Sequence, residues 1–375
     1  MTRPLKLLHV LGARPQFIKF FPVQEAIRKA AAHVAITSRV LHTGQHYDYR
    51  MSKIFFDDLG LQEPDYHAEV GSGTHGRQTA LVLERVEDVL REDSPDVVVV
   101  YGDTNSTLGG ALAAAKLHIP VAHVEAGLRS RNKRMPEEIN RVLTDHLSTF
   151  LFCPSSTAVT NLEREGFPIG PAGSDALPDA DHPRVVMSGD VMYDVLRHTE
   201  ASADERSGII QELGLDGTPY MLLTLHRAEN TDDRDALRRI ISFVNSVTDG
   251  CEVIFPVHPR TTLAYRAAGG RFSDRVRMIE PRGHFDMVRL LKGATRVLTD
   301  SGGLQKEAYW LQVPCITLRE ETEWVETVES GWNVLYHDYP STREPERETR
   351  AYGEGDAATT IVETLCAAHA VETCA

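Results

Sequence analysis

Acidic residues stand at three places along the chain where a carboxylate could move a proton. Asp103 closes the run VVVVYGD, Glu125 closes VAHVE, and Glu137–Glu138 occur in RMPEEINR. Asp103 and Glu125 follow consecutive apolar runs, so they stand side by side if those runs are neighbouring strands. Carboxylates that close repel one another unless cations offset them, and Arg129, Arg131, Lys133, Arg134 and Arg141 follow closely in sequence. Several carboxylates set among cations suit general acid–base chemistry at tuned pKa values. Metal chemistry is not expected: the His/Asp/Glu spacings match no ligand motif, and His42 and His46 of HTGQH fall in an expected loop.

A second set of residues suits an anion. In GARPQFIKFFPV, Pro15 is placed for the first turn of a helix, where its missing N–H costs nothing. Free backbone N–H groups at such a terminus favour negative charge. Arg14 precedes the turn and Lys19 lies one helical turn beyond Pro15, so both cations can reach one rim; a surface cation pair is the plainer alternative. In TDSGGLQKEAYW an apolar run ends at Asp300, and Ser301, Gly302 and Gly303 open a helix. Glycines let a backbone approach a phosphate, Ser301 adds a hydroxyl, and Glu307 could accept from ribose hydroxyls one turn later. A capped helix with two turn glycines would look the same. The pattern is neither the phosphate loop with its Gly-Lys-Ser/Thr nor GxGxxG, so NAD is not expected. His226 and Arg227 follow the run MLLTL directly, where an imidazole could bind phosphate or protonate a leaving oxygen.

The elements that must carry these residues are short apolar runs alternating with helix-period segments. Strands are expected at Leu5–Leu11, Ser38–Leu41, Val97–Tyr101, Val121–Val124, Phe150–Cys153 and Val185–Met187. A second series is expected at Met221–Leu225, Val253–Val257, Val276–Ile279, Val297–Leu298 and Cys315–Leu318. Several are continuous β-branched runs, the mark of parallel strands buried on both faces. Segments such as TALVLERVEDVLRE and STLGGALAAAKLH read as the helices between them. The class expected is α/β, with two Rossmann-like domains facing a central cleft: residues 1–190 with the carboxylates, 191–350 with the nucleotide turn, and a helical tail 351–375 packing back on either domain. GFPIGPAGSDALPDADHP, rich in Gly, Pro and Asp, reads as a loop. Ligands of open α/β sheets bind outside the carboxyl ends of the strands, and there this chain places its polar turns.

Composition narrows the partners. The formal net charge of −14 argues against nucleic acid or an anionic membrane held by bulk electrostatics, yet local cations can still hold a small anion. Hydrophobic residues at 42% and charged residues at 25% are ordinary for a globular chain. No run approaches the roughly 20 apolar residues that cross a bilayer. The five cysteines form neither CxxC nor zinc spacing, and Pro4 and Lys6 interrupt any leader pattern. The expectation is a cytoplasmic protein.

Taken in order, GARPQFIK, TGQHYD, YGDTNSTLGGALAAAKLHIPVAHVEAGLRS, MPEEINRVLTDHLS, LTLHRAEN, PVHPR and DSGGLQKEA resemble the non-hydrolysing UDP-N-acetylglucosamine 2-epimerases over about residues 7 to 335. The resemblance implies a glycosyltransferase-B-like fold, bound UDP, no metal or NAD, and a homodimer. It implies loss of UDP from C1 coupled to removal of the C2 proton, a 2-acetamidoglucal, and re-addition to give the manno epimer. By motif match Asp103, Glu125 and Glu137 become the acid/base candidates. Arg14, His226 and the Ser301–Gly303 turn would hold UDP, Glu307 the ribose, and Lys19 and Arg141 the sugar or the carboxylates. PRGHFDM resembles the uracil-contacting segment, which adds Arg282 and Met287. Some members carry an activating UDP-N-acetylglucosamine site, for which the matching positions are Gln45, His46, Arg77, Gln78 and His258.

The chain departs from the common pattern in three places: Gly-Ala-Arg-Pro-Gln instead of Gly-Thr-Arg-Pro-Glu, the short basic segment RNKRM, and Trp324 where many members carry arginine. These features resemble the subgroup that epimerises UDP-2,3-diacetamido-2,3-dideoxyglucuronate, whose extra carboxylate a basic loop would answer. A glycosyltransferase of the same fold, a hydrolysing 2-epimerase and a non-catalytic nucleotide-sugar sensor are the competing expectations.

Overall fold

The computed structural model describes residues 3–44, 60–170, 177–248, 250–257, 259–340, 343–346 and 350–374. The chain divides into two compact units. The first comprises Met1–Val195 with Ala351–Ala375, the second Leu196–Arg350.

The first unit is built on seven parallel strands: β1 (Leu5–Leu11), β2 (Ile36–His42), β3 (Tyr66–His67), β4 (Val97–Tyr101), β5 (Val121–Val124), β6 (Phe150–Cys153) and β7 (Arg184–Met187). Their order is β3-β2-β1-β4-β5-β6-β7. The β4 sequence shows why the sheet is covered on both sides. Val97, Val99 and Tyr101 enter one apolar core, while Val98 and Val100 enter another. Period-two alternation has put hydrophobic residues on both faces. One core is closed by the Arg14–Ala30 helix together with the C-terminal helix Ala357–Cys374, whose Ile361, Val362 and Leu365 are buried among Leu5, Phe20 and Tyr101. The tail therefore completes the first unit's core.

The second unit repeats the plan with six parallel strands: β8 (Tyr220–Thr224), β9 (Glu252–Pro256), β10 (Val276–Ile279), β11 (Arg296–Thr299), β12 (Cys315–Thr317) and β13 (Asn333–Leu335). Their order is β10-β9-β8-β11-β12-β13. Both units thus have the α/β, Rossmann-like organisation expected. In each, strand order reverses beside the first strand, between β1 and β4 and between β8 and β11, which is where such sheets open a crevice for ligand. The strands β3 and β13 were not among those expected. No helix among the described residues is long and apolar enough to cross a membrane.

Candidate active site

On the first unit, register brings the acidic positions together. Val98–Tyr101 of β4 pair with Val121–Val124 of β5. Asp103 therefore leaves β4 beside the point where Glu125 leaves β5. Glu125 has φ +75, the left-handed region that non-glycine residues adopt at a cost. Each carboxylate has its own cation. Lys19, from the Arg14–Ala30 helix, pairs with Glu125, and Arg141, from the Pro136–Leu147 helix, pairs with Asp103. Desolvation draws the Lys19 ammonium pKa down, but Glu125, Asp103 and Asp190 more than offset it and the value ends above the ordinary one. Arg141 behaves alike: burial opposes its charge, and Asp103 and Glu138 restore it.

The two adjacent glutamates separate. Glu137 is exposed. Glu138 is 2% exposed and accepts from the Ser130 N–H at 2.9 Å, the Ser130 hydroxyl at 2.9 Å, the Arg131 N–H at 2.8 Å and Arg141 at 3.1 Å. Burial alone would raise its pKa; these donors hold it below the ordinary carboxylate range. Glu138 thus anchors the basic loop, where Arg131 has φ +58. Arg131 and Lys133 line, with Arg129, Arg164 and His146, a cavity of about 480 Å³ whose wall includes Glu138.

The turn after β1 is fixed by Gln16. Its carbonyl accepts from the N–H groups of Gly12 at 2.7 Å and Ala13 at 2.9 Å, while its amide donates to the Tyr101 carbonyl at 2.9 Å and the Thr107 hydroxyl at 3.0 Å. One buried amide therefore ties β1 to the end of β4. Gly12 is needed there, because a Cβ would lie 2.0 Å from the Ser106 hydroxyl and 2.3 Å from that of Thr43. The helix starts at Arg14 with Pro15 in its first turn. Arg14 is exposed, and partial desolvation lowers its pKa.

On the second unit, the switch between β8 and β11 gathers the residues suited to phosphate. Asp300 is fully buried and accepts from the N–H of Arg227 at 2.9 Å, the N–H of His226 at 3.1 Å and Asn230 Nδ2 at 3.1 Å. His226 is mostly exposed, with Nδ1 3.4 Å from Asp300 Oδ1. The carboxylate thus lies behind one ring nitrogen of a side chain that is otherwise mostly in solvent. Ser301 caps the Gly302–Trp310 helix, accepting from the Leu304 N–H at 3.4 Å. A Cβ on Gly302 would meet Trp324 Nε1 at 2.9 Å and Glu323 Oε1 at 3.2 Å, so glycine is what this wall admits. Trp324 lies over the Lys306 ammonium at 3.9 Å. Glu307 follows on the same helix, and burial pushes its carboxyl up to about 7 against the pull of Lys306.

The remaining expected positions are scattered. Arg282 is paired with Glu212 at 2.6 Å, and Met287 packs on an apolar core beside it. Gln78 is buried and bonded to Asn105 and to the Gly71 carbonyl, while Arg77 on the same helix is exposed. Gln45, His46 and His258 lie outside the described residues. Gln16 and Asp300 were not singled out as site residues from sequence, and Glu138 was named only as half of the Glu137–Glu138 pair. Asp300 had a signal, a carboxylate ending an apolar strand; Gln16 and Glu138 had only their adjacency to residues that were chosen. Among the described residues no group of three or more His, Cys, Asp or Glu could hold a metal ion.

Two Rossmann-like units, each a parallel sheet with a polar rim at its switch point, define an α/β protein. Comparison with known proteins narrows the class. The model of the family described as UDP-N-acetylglucosamine 2-epimerase matches residues 28–366. A UDP-N-acetylglucosamine 2-epimerase homolog of Methanococcus maripaludis is 46% identical over 96% of this chain and 99% of that protein. The UDP-2,3-diacetamido-2,3-dideoxy-D-glucuronate 2-epimerase of Pseudomonas aeruginosa is also 46% identical, over 88% of each. The crystal structure of Methanocaldococcus jannaschii UDP-GlcNAc 2-epimerase in complex with UDP-GlcNAc and UDP superposes with a TM-score of 0.79 at 39% identity, covering 96% of this chain and 99% of that one. The chain belongs to the UDP-N-acetylglucosamine 2-epimerase family, whose members are isomerases.

Proposed function

We propose that this protein inverts C2 of a UDP-2-acetamido sugar, interconverting UDP-N-acetylglucosamine and UDP-N-acetylmannosamine without hydrolysis. The observation that carries the reading is the pairing of Asp103 with Arg141 and of Glu125 with Lys19 on adjoining strand ends. Two carboxylates, each with its own cation, can exchange a proton without building up like charge. One carboxylate takes the C2 proton. The C2–H electron pair forms the C1=C2 bond, and the C1–O pair leaves with UDP. Re-addition of UDP at C1 with proton delivery to the opposite face of C2 gives the epimer. Glu137, exposed at a helix start, supplies the further acid/base group. Arg14, His226 and the Ser301–Gly303 turn hold the diphosphate, Glu307 the ribose, and Arg282 and Met287 the uracil. The homodimer, the cytoplasmic location, the second activating site and independence from metal and NAD belong to the same proposal. Light scattering and turnover after chelation test the first and last of these.

A second reading has its own support. The cationic cavity beside Glu138 and the Pseudomonas aeruginosa relative favour a uronate substrate with one more carboxylate. Proton NMR in D2O with each UDP-sugar separates the readings. Deuterium entering C2 together with the epimer of UDP-N-acetylglucosamine supports the first; exchange only with the diacetamido-uronate supports the second. Exchange with neither, or release of free sugar, overturns the proposal.

A further inference from the structure

Beneath the acidic rim of the first unit lies a charged group that touches none of the proposed reacting atoms. His123, in the middle of β5, is completely buried. Its Nδ1 is 2.7 Å from Asp145 Oδ1 and its Nε2 is 2.8 Å from the Gly102 carbonyl oxygen. Both partners are acceptors. A neutral imidazole has one N–H, so one of these contacts would set a lone pair against an oxygen; only the doubly protonated ring satisfies both. The charges balance around it. Asp145, also fully buried, accepts from Arg129 at 2.7 Å and from the Gly127 N–H at 3.1 Å, and Arg129 is bonded in turn to Glu165 at 2.7 Å. Two cations and two carboxylates thus form one chain, the arrangement that lets buried charges persist.

We infer that His123 is a positioning residue, an imidazolium bolt that sets Asp103 through the carbonyl of Gly102. Gly102 immediately precedes Asp103 and has φ +62. The Asp103 carbonyl is held from the other side by Asn140 at 3.0 Å, and its carboxylate by Arg141. Asn140, Arg141 and Asp145 all lie on the Pro136–Leu147 helix. That helix therefore grips Asp103 directly through two residues and indirectly through Asp145 and His123. Removing the bolt frees the peptide before Asp103 without touching the nucleotide residues of the second unit. A displacement of about 1 Å at a reacting group can cost on the order of 100-fold in rate.

The inference rests on the reading that Asp103 acts on the sugar, and two variants that each keep half of the bolt test it. In His123→Gln the side-chain amide reaches where Nε2 was, keeping the bond to Gly102. In His123→Asn it reaches where Nδ1 was, keeping the bond to Asp145 alone. The expected result is about a 100-fold loss of kcat for His123→Asn and a loss within about 10-fold for His123→Gln, with KM near the wild-type value in both. Equal losses in the two variants would mean a merely structural residue and would overturn the inference. If either variant does not fold, the wild-type protein decides alone. Labelled with ¹⁵N in its 16 histidines, it should show both His123 ring nitrogens protonated, each facing its acceptor. An unprotonated ring nitrogen at His123 would refute the bolt. A wild-type enzyme that turns over no UDP-sugar instead refutes the reading above, and the ring spectrum still reports on the bolt.

Discussion

Glu307 offers a titration that probes the buried carboxyl and the nucleotide reading together. Burial brings its pKa from an ordinary 4.5 up to about 7. Because the folded-state value is the higher one, its contribution favours the fold in full below about pH 4.5 and is lost as pH rises through about 7. A wholly sequestered group with such a shift would account for roughly 3 kcal/mol. Part of the residue reaches solvent, and screening brings the expected figure to about 2 kcal/mol. Glu307→Gln keeps the shape and removes the titration. The variant's stability relative to wild type should therefore rise by about 2 kcal/mol between pH 5 and pH 8 and level off above, which is roughly 4–8 °C in thermal midpoint for a domain of this size class. If the ionised carboxylate accepts from the ribose hydroxyls, wild-type affinity for UDP should tighten over the same interval. The variant should bind UDP about 10-fold more weakly, with no pH dependence there, since a hydrogen bond to a charged group contributes roughly 1.5–3 kcal/mol. Calorimetric melts and UDP titrations at several pH values measure both. A stability difference that stays flat with pH would refute the buried carboxyl; an unchanged UDP affinity would remove Glu307 from the ribose.

Gln16→Glu should destabilise the first unit by about 2–3 kcal/mol at pH 7. A carboxylate keeps the bonds from Gly12 and Ala13 but faces the Tyr101 carbonyl without a proton. The penalty should shrink toward pH 4, and a melt unchanged at pH 7 would show that the turn does not need the amide. Glu138→Gln keeps the shape yet weakens the hold on Ser130, Arg131 and Arg141; kcat should fall at least about 10-fold, since about 1.4 kcal/mol is tenfold, while the melt shows the fold retained. Asp300→Asn turns an amide toward donors that a carboxylate now satisfies. It should weaken UDP binding by about 10-fold or more, read by titration with UDP alone.

The strands were legible where both faces are apolar. Val97–Tyr101 is β-branched almost throughout because each face meets its own core. The strands β3 and β13 escaped notice because two or three residues, some polar, carry no period. Residues at strand ends were legible as a rim, since a polar turn after an apolar run stands out in any parallel sheet. The phase of a helix was less so. Nothing in PEEINR distinguishes Glu137 from Glu138, yet one turns outward and the other closes the Arg131 loop. His123 was hidden for a different reason: inside VAHV it reads as one more residue of a buried strand, and only the distant Asp145 reveals its charge.

These differences follow from how the first unit divides its tasks. Strand ends decide where Asp103 and Glu125 stand, because pairing of Val98–Tyr101 with Val121–Val124 sets the ends of β4 and β5 side by side. The Pro136–Leu147 helix decides the charge around Asp103, through Arg141 directly and through Asp145 by way of His123. The basic loop reaches the same helix through Glu138. Residues 129–134 are therefore coupled to Asp103, through Arg129 and Asp145 on one side and through Glu138 and Arg141 on the other.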